Sequence, residues 1–241
     1  MRDLNLEFQD NSRQYAYDFD DILRDYMLRS FRPFISGNSG LEMGCFEGNF
    51  TKRLYPLYKK FSVLDGSSEL LKKAEKNSSK EVHFHQGRFE NHQFEEKFDD
   101  IFLIHALEHC DDPVETLSQV RKWLAPKGRF FLVVPNANAP SRQIAVKMGL
   151  ISHNCAVTPA EYEHGHRVTY SHDTLERDVR KSGFKIMNKS GIFFKPLANF
   201  QFDQMMKHNL LGKEYFDGCY EFGMLYPDLC ASLFFLCENP E

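Results

Sequence analysis

Apolar and polar positions along the chain fall into blocks whose period switches between that of a helix and that of a strand. From Tyr15 to Phe31 the apolar residues Tyr15, Phe19, Ile22, Leu23, Tyr26, Met27 and Leu28 stand on one side and acidic residues opposite, the stripe of an amphipathic helix. Arg32-Pro33 ends it, because a residue before proline is pushed out of the helical region. A short apolar run then leads to Glu42 and a glycine turn, Gly44 to Gly48, followed by Phe50, Leu54 and Leu57 at helical spacing. The run Phe61-Ser62-Val63-Leu64 ends at Asp65, so residues 40–65 predict strand, turn, helix, strand. Ser67 or Ser68 caps a helix to Asn77, with Leu70, Leu71 and Ala74 facing inward. Val82 to His85 and Phe98 to Ile104 are further strands, the second almost wholly apolar after two acids. A helix from Val114 to Leu124, a Pro126-Lys127-Gly128 turn and a buried strand Arg129 to Val134 follow. Ser171 caps a helix from His172 to Lys181, and Phe184–Met187 and Leu233–Cys237 are the last strands.

Strands separated by helices predict an α/β architecture with a mainly parallel sheet, and 241 residues suit one domain over 1–241. Residues 1–35 form a helical preamble. Two stretches exceed ordinary connections: a loop over 137–167 and a segment over 190–230 rich in aromatics, among them Phe193, Phe200, Phe202, Phe216 and Tyr220. Long excursions in a compact domain are usually functional. The first leaves the fifth strand at the sheet edge where ligands sit, and the second reads as a cap over the acceptor pocket or as a dimerising add-on.

Composition narrows the function. Hydrophobic residues make up 42% of the chain, enough for a sizeable core, and the 23 Phe suit core and pocket lining. A net charge of -4 gives no basic excess, which argues against nucleic acid as a partner. The six cysteines contain no Cys-x-x-Cys pair, which argues against a zinc ribbon and suits a reducing, cytoplasmic setting. No apolar run is long enough to span a membrane.

The turn after Glu42 allows left-handed backbone and close approach to a ligand. Asp65 follows roughly 20 residues on, where adenosine-binding sheets hold a ribose hydroxyl. A dinucleotide site is the rival reading, but the spacing here is Gly-x-x-x-Gly with Glu47 inside the turn, and that carboxylate would repel a pyrophosphate.

Glu42, Gly44 and Gly48 match the first motif of the class I S-adenosylmethionine-dependent methyltransferases, with Phe46 where the middle glycine usually stands. Phe98-Asp99-Asp100-Ile101, the run Leu107-Glu108-His109-Cys110-Asp111-Asp112-Pro113, and the stretch from Leu124 to Asn136 extend that resemblance, which points to the ubiquinone-biosynthesis-like subgroup. The resemblance covers residues 40 to about 190. It implies a Rossmann-like seven-stranded sheet, mostly parallel with the last strand antiparallel, and helices on both faces. It implies S-adenosylmethionine as cofactor, leaving as S-adenosylhomocysteine. Glu42, Gly44, Cys45, Gly48, Asp65 and Gly66 would hold it, with Arg88 and Phe89 beside the adenine, His105 after the fourth strand, and Tyr17 or Tyr15 over the top.

For methyl transfer to oxygen the candidate bases are His109, just past the fourth strand, and His166, on the pocket-side loop. A metal-assisted variant is the alternative, since His105, Glu108 and His109 would share one face of a helical turn. Asn136, Arg142, His164 and Arg167, with Lys147 nearby, are candidates for a small acceptor carrying an anionic group, such as a sugar-linked, phosphorylated or nucleotide-linked intermediate. A non-catalytic subunit that binds S-adenosylmethionine is the remaining alternative, and a homodimer is compatible with the aromatic segment.

Overall fold

The computed structural model describes residues 3–9, 11 and 14–240; residues 1, 2, 10, 12, 13 and 241, at the margins of the expected N-terminal preamble and domain, lie outside the described residues. The strands are β1 (Ser39–Met43), β2 (Lys60–Asp65), β3 (Val82–Gln86), β4 (Phe98–Ile104), β5 (Leu124–Pro135), β6 (Lys185–Phe194) and β7 (Cys230–Glu238). The helices are α1 (Asp18–Phe31), α2 (Thr51–Leu54), α3 (Ser68–Asn77), α4 (Pro113–Trp123), α5 (Pro140–Lys147), α6 (Pro159–Glu163), α7 (His172–Lys181), α8 (Asn199–Lys207) and α9 (Lys213–Leu225). One seven-stranded sheet has the order β3-β2-β1-β4-β5-β7-β6. β1 to β5 are parallel, and β7 runs antiparallel between β5 and β6.

Side-chain alternation splits the core between the two faces of the sheet. Phe102, Phe131, Val133 and Phe234 face α1, α2 and α3, whereas Ile101, Leu103, Leu132 and Phe235 face α4 and α7. Phe31, fully buried, lies between Phe50 and the Phe102–Phe131–Phe234 row. The expected caps form: Ser67 accepts from the Leu70 amide and Ser171 from the Thr174 amide.

Four elements depart from the expected pattern for local reasons. α1 starts at Asp18 rather than Tyr15, because the Asp20 carboxylate accepts from the Tyr17 amide and holds Tyr17 extended as the cap. α2 is one turn long and passes into a 3-10 turn, Tyr55–Leu57, at Pro56. The Pro126-Lys127-Gly128 turn lies within β5, where the pairing with β4 jumps from Phe98–Leu124 to Asp100–Arg129. β6 runs on to Phe194, because Ser190, Gly191 and Ile192 pair with the start of β7.

The aromatic segment is a helical pair packed on α1, not an aromatic roof. Phe202 stacks on Phe19 with centroids 4.1 Å apart, Tyr220 stacks on Tyr26 at 5.0 Å, and Phe193 and Phe216 are buried with them. Burying these rings against the stripe of α1 removes more apolar area than exposing them over a pocket would. Asp203 of α8 also caps α1, its two oxygens accepting from the Asp18 and Phe19 amides at 3.1 and 2.9 Å. Exposed apolar side chains persist on the outer side of α9, including Phe222, Met224 and Leu225. Among the described residues no helix is long and apolar enough to cross a membrane.

Candidate active site

The chain leaves β1 toward β2 and β3, then returns to β4 on the other side of β1. That reversal opens a crevice at the carboxyl ends of β1 and β4, where α/β sheets bind ligands. A cavity of about 390 Å³ lies there, within the range of small-molecule sites.

One side of the cavity is the turn after β1. Gly44 has φ +79°, and a Cβ there would stand 2.9 Å from the Cβ of Ala106, so only glycine brings β1 this close to the segment after β4. Gly48 is also left-handed, but it does not line the cavity; a Cβ there would press on the α3 backbone at Ala74. Its part is packing of the turn against α3. Phe46 keeps the left-handed conformation (φ +50°) without being glycine, and its ring stacks on Tyr15 at 5.3 Å.

The Asp65 carboxylate joins the two turns. One oxygen accepts from the Cys45 amide at 2.9 Å and the other from the Ser67 amide at 2.8 Å. Burial pushes its pKa up and these amides oppose that. Glu42 is buried beneath the turn, accepts from Thr51 Oγ1 at 2.6 Å, and is pushed up to about 8 by burial. Gly66, Arg88 and Phe89 line the same side. Leu4 packs on Gly66, and Asn5 Oδ1 accepts from Ser67 Oγ, so the N-terminal residues fold over this end.

The segment after β4 supplies the opposite wall. His105 is left-handed (φ +49°), and its Nε2 lies 2.9 Å from Ser232 Oγ at the start of β7. Burial, reinforced by Arg24, pushes its pKa down to about 3, so the ring is neutral. His105 therefore does not share a helical face with Glu108 and His109: the turn there is a 3-10 turn, Leu107–His109, that begins after His105. His166 takes the third place instead. Glu108, His109 and His166 bring one side-chain ligand atom each within 4.8 Å of one another, and the His109 and His166 rings lie 4.6 Å apart. Burial raises Glu108 to about 8 and lowers His166 to about 4. Glu7 Oε2 is 4.0 Å from His109 Nδ1. Tyr15 packs edge-on to buried His164, at 5.2 Å.

Of the acceptor-binding candidates only His164 lines the cavity. Arg142 pairs with Glu161 at 2.8 Å and donates to the carbonyls of Asn154 and Ala156, so its charge pins the loop instead of facing a ligand. Asn136 donates to the carbonyls of Asp228 and Cys230, tying β5 to β7. Arg167 lies over Tyr162 and beside Asp111, and Lys147 is exposed at the end of α5. Sequence reasoning missed Asp20, Arg24, Lys195, Asn199 and Ser232, all of which line the cavity. Tyr17, Asp20 and Arg24 recur at helical spacing beside the apolar stripe of α1, a usable signal. Nothing local marks Lys195 or Ser232.

A methyltransferase-domain family model matches residues 13–189. The mitochondrial ubiquinone biosynthesis O-methyltransferase of Schizosaccharomyces pombe is 23% identical over 181 residues, covering 72% of this chain and 65% of that protein. The chain thus spans just under two thirds of the length of this relative. The N-methyltransferase NodS of Bradyrhizobium japonicum in complex with S-adenosylhomocysteine has a TM-score of 0.63 at 15% identity, covering 99% of this chain and 97% of that one. A methyltransferase of Clostridium acetobutylicum has a TM-score of 0.58 at 12% identity, covering 93% of each chain. The site fits the cofactor these matches imply: a turn at Gly44 that leaves open to a ligand the space a Cβ would take, Phe89 against that glycine, a carboxylate at the end of β2, and a buried acid, Glu42, all lining one cavity.

Proposed function

Since the chain belongs to the methyltransferase-domain family and its cofactor is S-adenosylmethionine, we propose that it methylates an oxygen of a small, enclosed acceptor, with His109 or His166 as general base. When bound, S-adenosylmethionine supplies a methyl group on a sulfonium, already activated for displacement. The chain's residues supply position. The Gly44–Phe46 turn, Asp65 and Phe89 would hold the adenosyl part, Glu42 would face its positive charge, and Tyr15 and Phe46 would exclude water from above. Fixing two reactants in line is worth roughly 7–11 kcal/mol, so positioning carries most of the rate.

The observation that carries the oxygen reading is the His109–His166 pair on the cavity wall. A hydroxyl acceptor has to lose a proton, and an imidazole at this position takes it at Nδ1 or Nε2. A sugar-linked or nucleotide-linked hydroxyl compound suits an enclosed pocket. The test is conversion of S-adenosylmethionine to S-adenosylhomocysteine across hydroxyl acceptors. His109→Ala and His166→Ala are compared, and the base should cost roughly 10²–10⁴-fold. Full turnover in both variants would remove the base from the reading.

A metal-assisted reading is favoured by one feature. Glu108 Oε2 is buried without a hydrogen-bond partner and faces His109 and His166. A divalent ion held there would polarise the acceptor oxygen as a Lewis acid. Activity abolished by a chelator and restored by magnesium or zinc would select this reading over the base alone.

A further inference from the structure

We propose that His164 selects the acceptor: its Nε2 hydrogen-bonds a second hydroxyl, beside the one that is methylated, so the acceptor is a neutral polyhydroxy compound of the sugar kind. This rests on the oxygen-methylation reading above and names the class of acceptor. His164 is 8% exposed, its ring lines the cavity, and its Nε2 is buried without a hydrogen-bond partner. Leaving a buried ring nitrogen unbonded opposes folding, so buried polar atoms are nearly always satisfied. A ligand in the cavity supplies the partner that the chain does not.

The backbone around His164 has no such deficit. The amides of His164, Gly165, His166 and Arg167 donate to the carbonyls of Ala160, Tyr162, Glu161 and Glu108 at 3.0, 3.0, 2.9 and 2.7 Å. The loop is therefore pinned both to α6 and to the segment after β4, and the unbonded nitrogen is not the by-product of a loose loop. Gly165 carries the loop against His109: it is left-handed (φ +93°), and a Cβ there would stand 2.8 Å from His109 Nδ1. Tyr15 meets the His164 ring edge-on at 5.2 Å and stacks on Phe46. His164 is thus flanked along the chain by the contact with His109, a proposed base, and in space by the stack at the mouth of the cavity.

The unbonded nitrogen also selects the chemistry of its ligand. A neutral imidazole donates or accepts at Nε2 according to its tautomer. An ammonium only donates and an oxyanion only accepts, whereas a hydroxyl does either and fits both tautomers. Glu108 Oε2 is another unpartnered atom on the cavity wall, and a hydroxyl suits a carboxyl group in either protonation state, where an oxyanion would be repelled by the ionised one. A metal ion on Glu108, His109 and His166 would leave His164 as it is, because His164 is not one of the three. The same hydroxyl chemistry has a second source, the ribose of the cofactor, and the experiment has to separate the two.

The probe is glucose, titrated by calorimetry into the full chain loaded with S-adenosylhomocysteine. Saturable binding is expected, weakened roughly tenfold or more by His164→Leu and kept within about threefold by His164→Gln, whose amide offers a donor and an acceptor near the position of Nε2. S-adenosylhomocysteine affinity should stay within about twofold of wild type in His164→Leu. Without ligand, His164→Leu should melt no lower than His164→Gln, because it removes an unbonded polar atom instead of replacing it. A His164→Leu variant that melts below His164→Gln would show the nitrogen to be bonded within the chain and would overturn the proposal. Absence of saturable glucose binding, binding indifferent to His164→Leu, or inorganic phosphate bound more tightly than glucose would overturn it as well. So would loss of S-adenosylhomocysteine affinity in His164→Leu, which would give Nε2 to the ribose of the cofactor. A wild-type protein that does not bind S-adenosylhomocysteine at all contradicts the cofactor reading itself, which separates that failure from failure of the glucose arm.

Discussion

Tyr15 and Phe46 stack with their ring centroids 5.3 Å apart and 30° between planes, joining the N-terminal segment to the turn after β1 across the mouth of the cavity. The stack compensates for Phe46 standing in a left-handed conformation, which costs a non-glycine residue about 1–2 kcal/mol. Phe46→Gly relieves that cost and removes an aromatic contact of about 0.5–1.5 kcal/mol. The expected result is a melting temperature close to wild type and S-adenosylhomocysteine affinity lowered roughly three- to tenfold by calorimetry. A large drop in melting temperature would show the ring to be structural instead of a lid.

Asp65, proposed above to hold the adenosyl part of the cofactor, also shapes its own site, because its oxygens hold the Cys45 and Ser67 amides. Asp65→Asn keeps the size and weakens the acceptor. S-adenosylmethionine affinity should fall by about 1–3 kcal/mol with the far-ultraviolet dichroism unchanged. Wild-type affinity would contradict the ribose assignment.

Glu42 makes stability depend on pH. Its pKa is about 8 in the folded chain, against the ordinary glutamate range when unfolded. Between those values the folded state binds more protons than the unfolded state, so stability falls as pH rises from about 4.5 to about 8. Urea titrations across that window should show a shallower fall in Glu42→Gln than in wild type. Binding of the cationic cofactor draws Glu42 back toward the ionised form. Calorimetry at pH 7 in buffers of different ionisation enthalpy should therefore report proton release.

Arg142→Ala tests whether that guanidinium serves a ligand or a loop. It binds the carbonyls of Asn154 and Ala156 and the Glu161 carboxylate. The expected effect is a stability loss of about 1–3 kcal/mol with faster proteolysis across residues 150–163, and S-adenosylhomocysteine affinity and turnover unchanged below the melting range. A selective loss of turnover with stability intact would return Arg142 to the pocket.

The sheet and the wall of the cavity formed by the turn after β1 were legible because they rest on local rules. Alternation set the strands, serine caps set α3 and α7, and Gly44 and Asp65 are held at fixed offsets by one strand-turn-helix unit. The rest of the cavity was not, because it depends on long-range geometry. Lys195 reaches the cavity only through the direction of β6, which β7 determines from the end of the chain. Arg142 looked like a ligand-facing cation because loop position says nothing about a partner such as Glu161, 19 residues away. The aromatic segment divides between the two expectations: its buried rings Phe202, Phe216 and Tyr220 pack on α1 and away from the cavity, while Lys195 and Asn199 of the same stretch line it, a division that only the fold decides. His105 failed the helical-face argument because one left-handed residue takes it out of register with Glu108 and His109.

The cap that Asp203 places on α1 makes two helices move as one lever. Widening the cavity by tilting α8 would drag Asp18 and Phe19, and with them the stretch that carries Tyr15 and Tyr17 to the cavity wall. Breadth of acceptor choice and tenacity of cofactor retention are therefore expected to trade against each other, if the proposed site is the one used. A variant selected for bulkier acceptors should release S-adenosylhomocysteine faster, even when its substitutions lie wholly within α8.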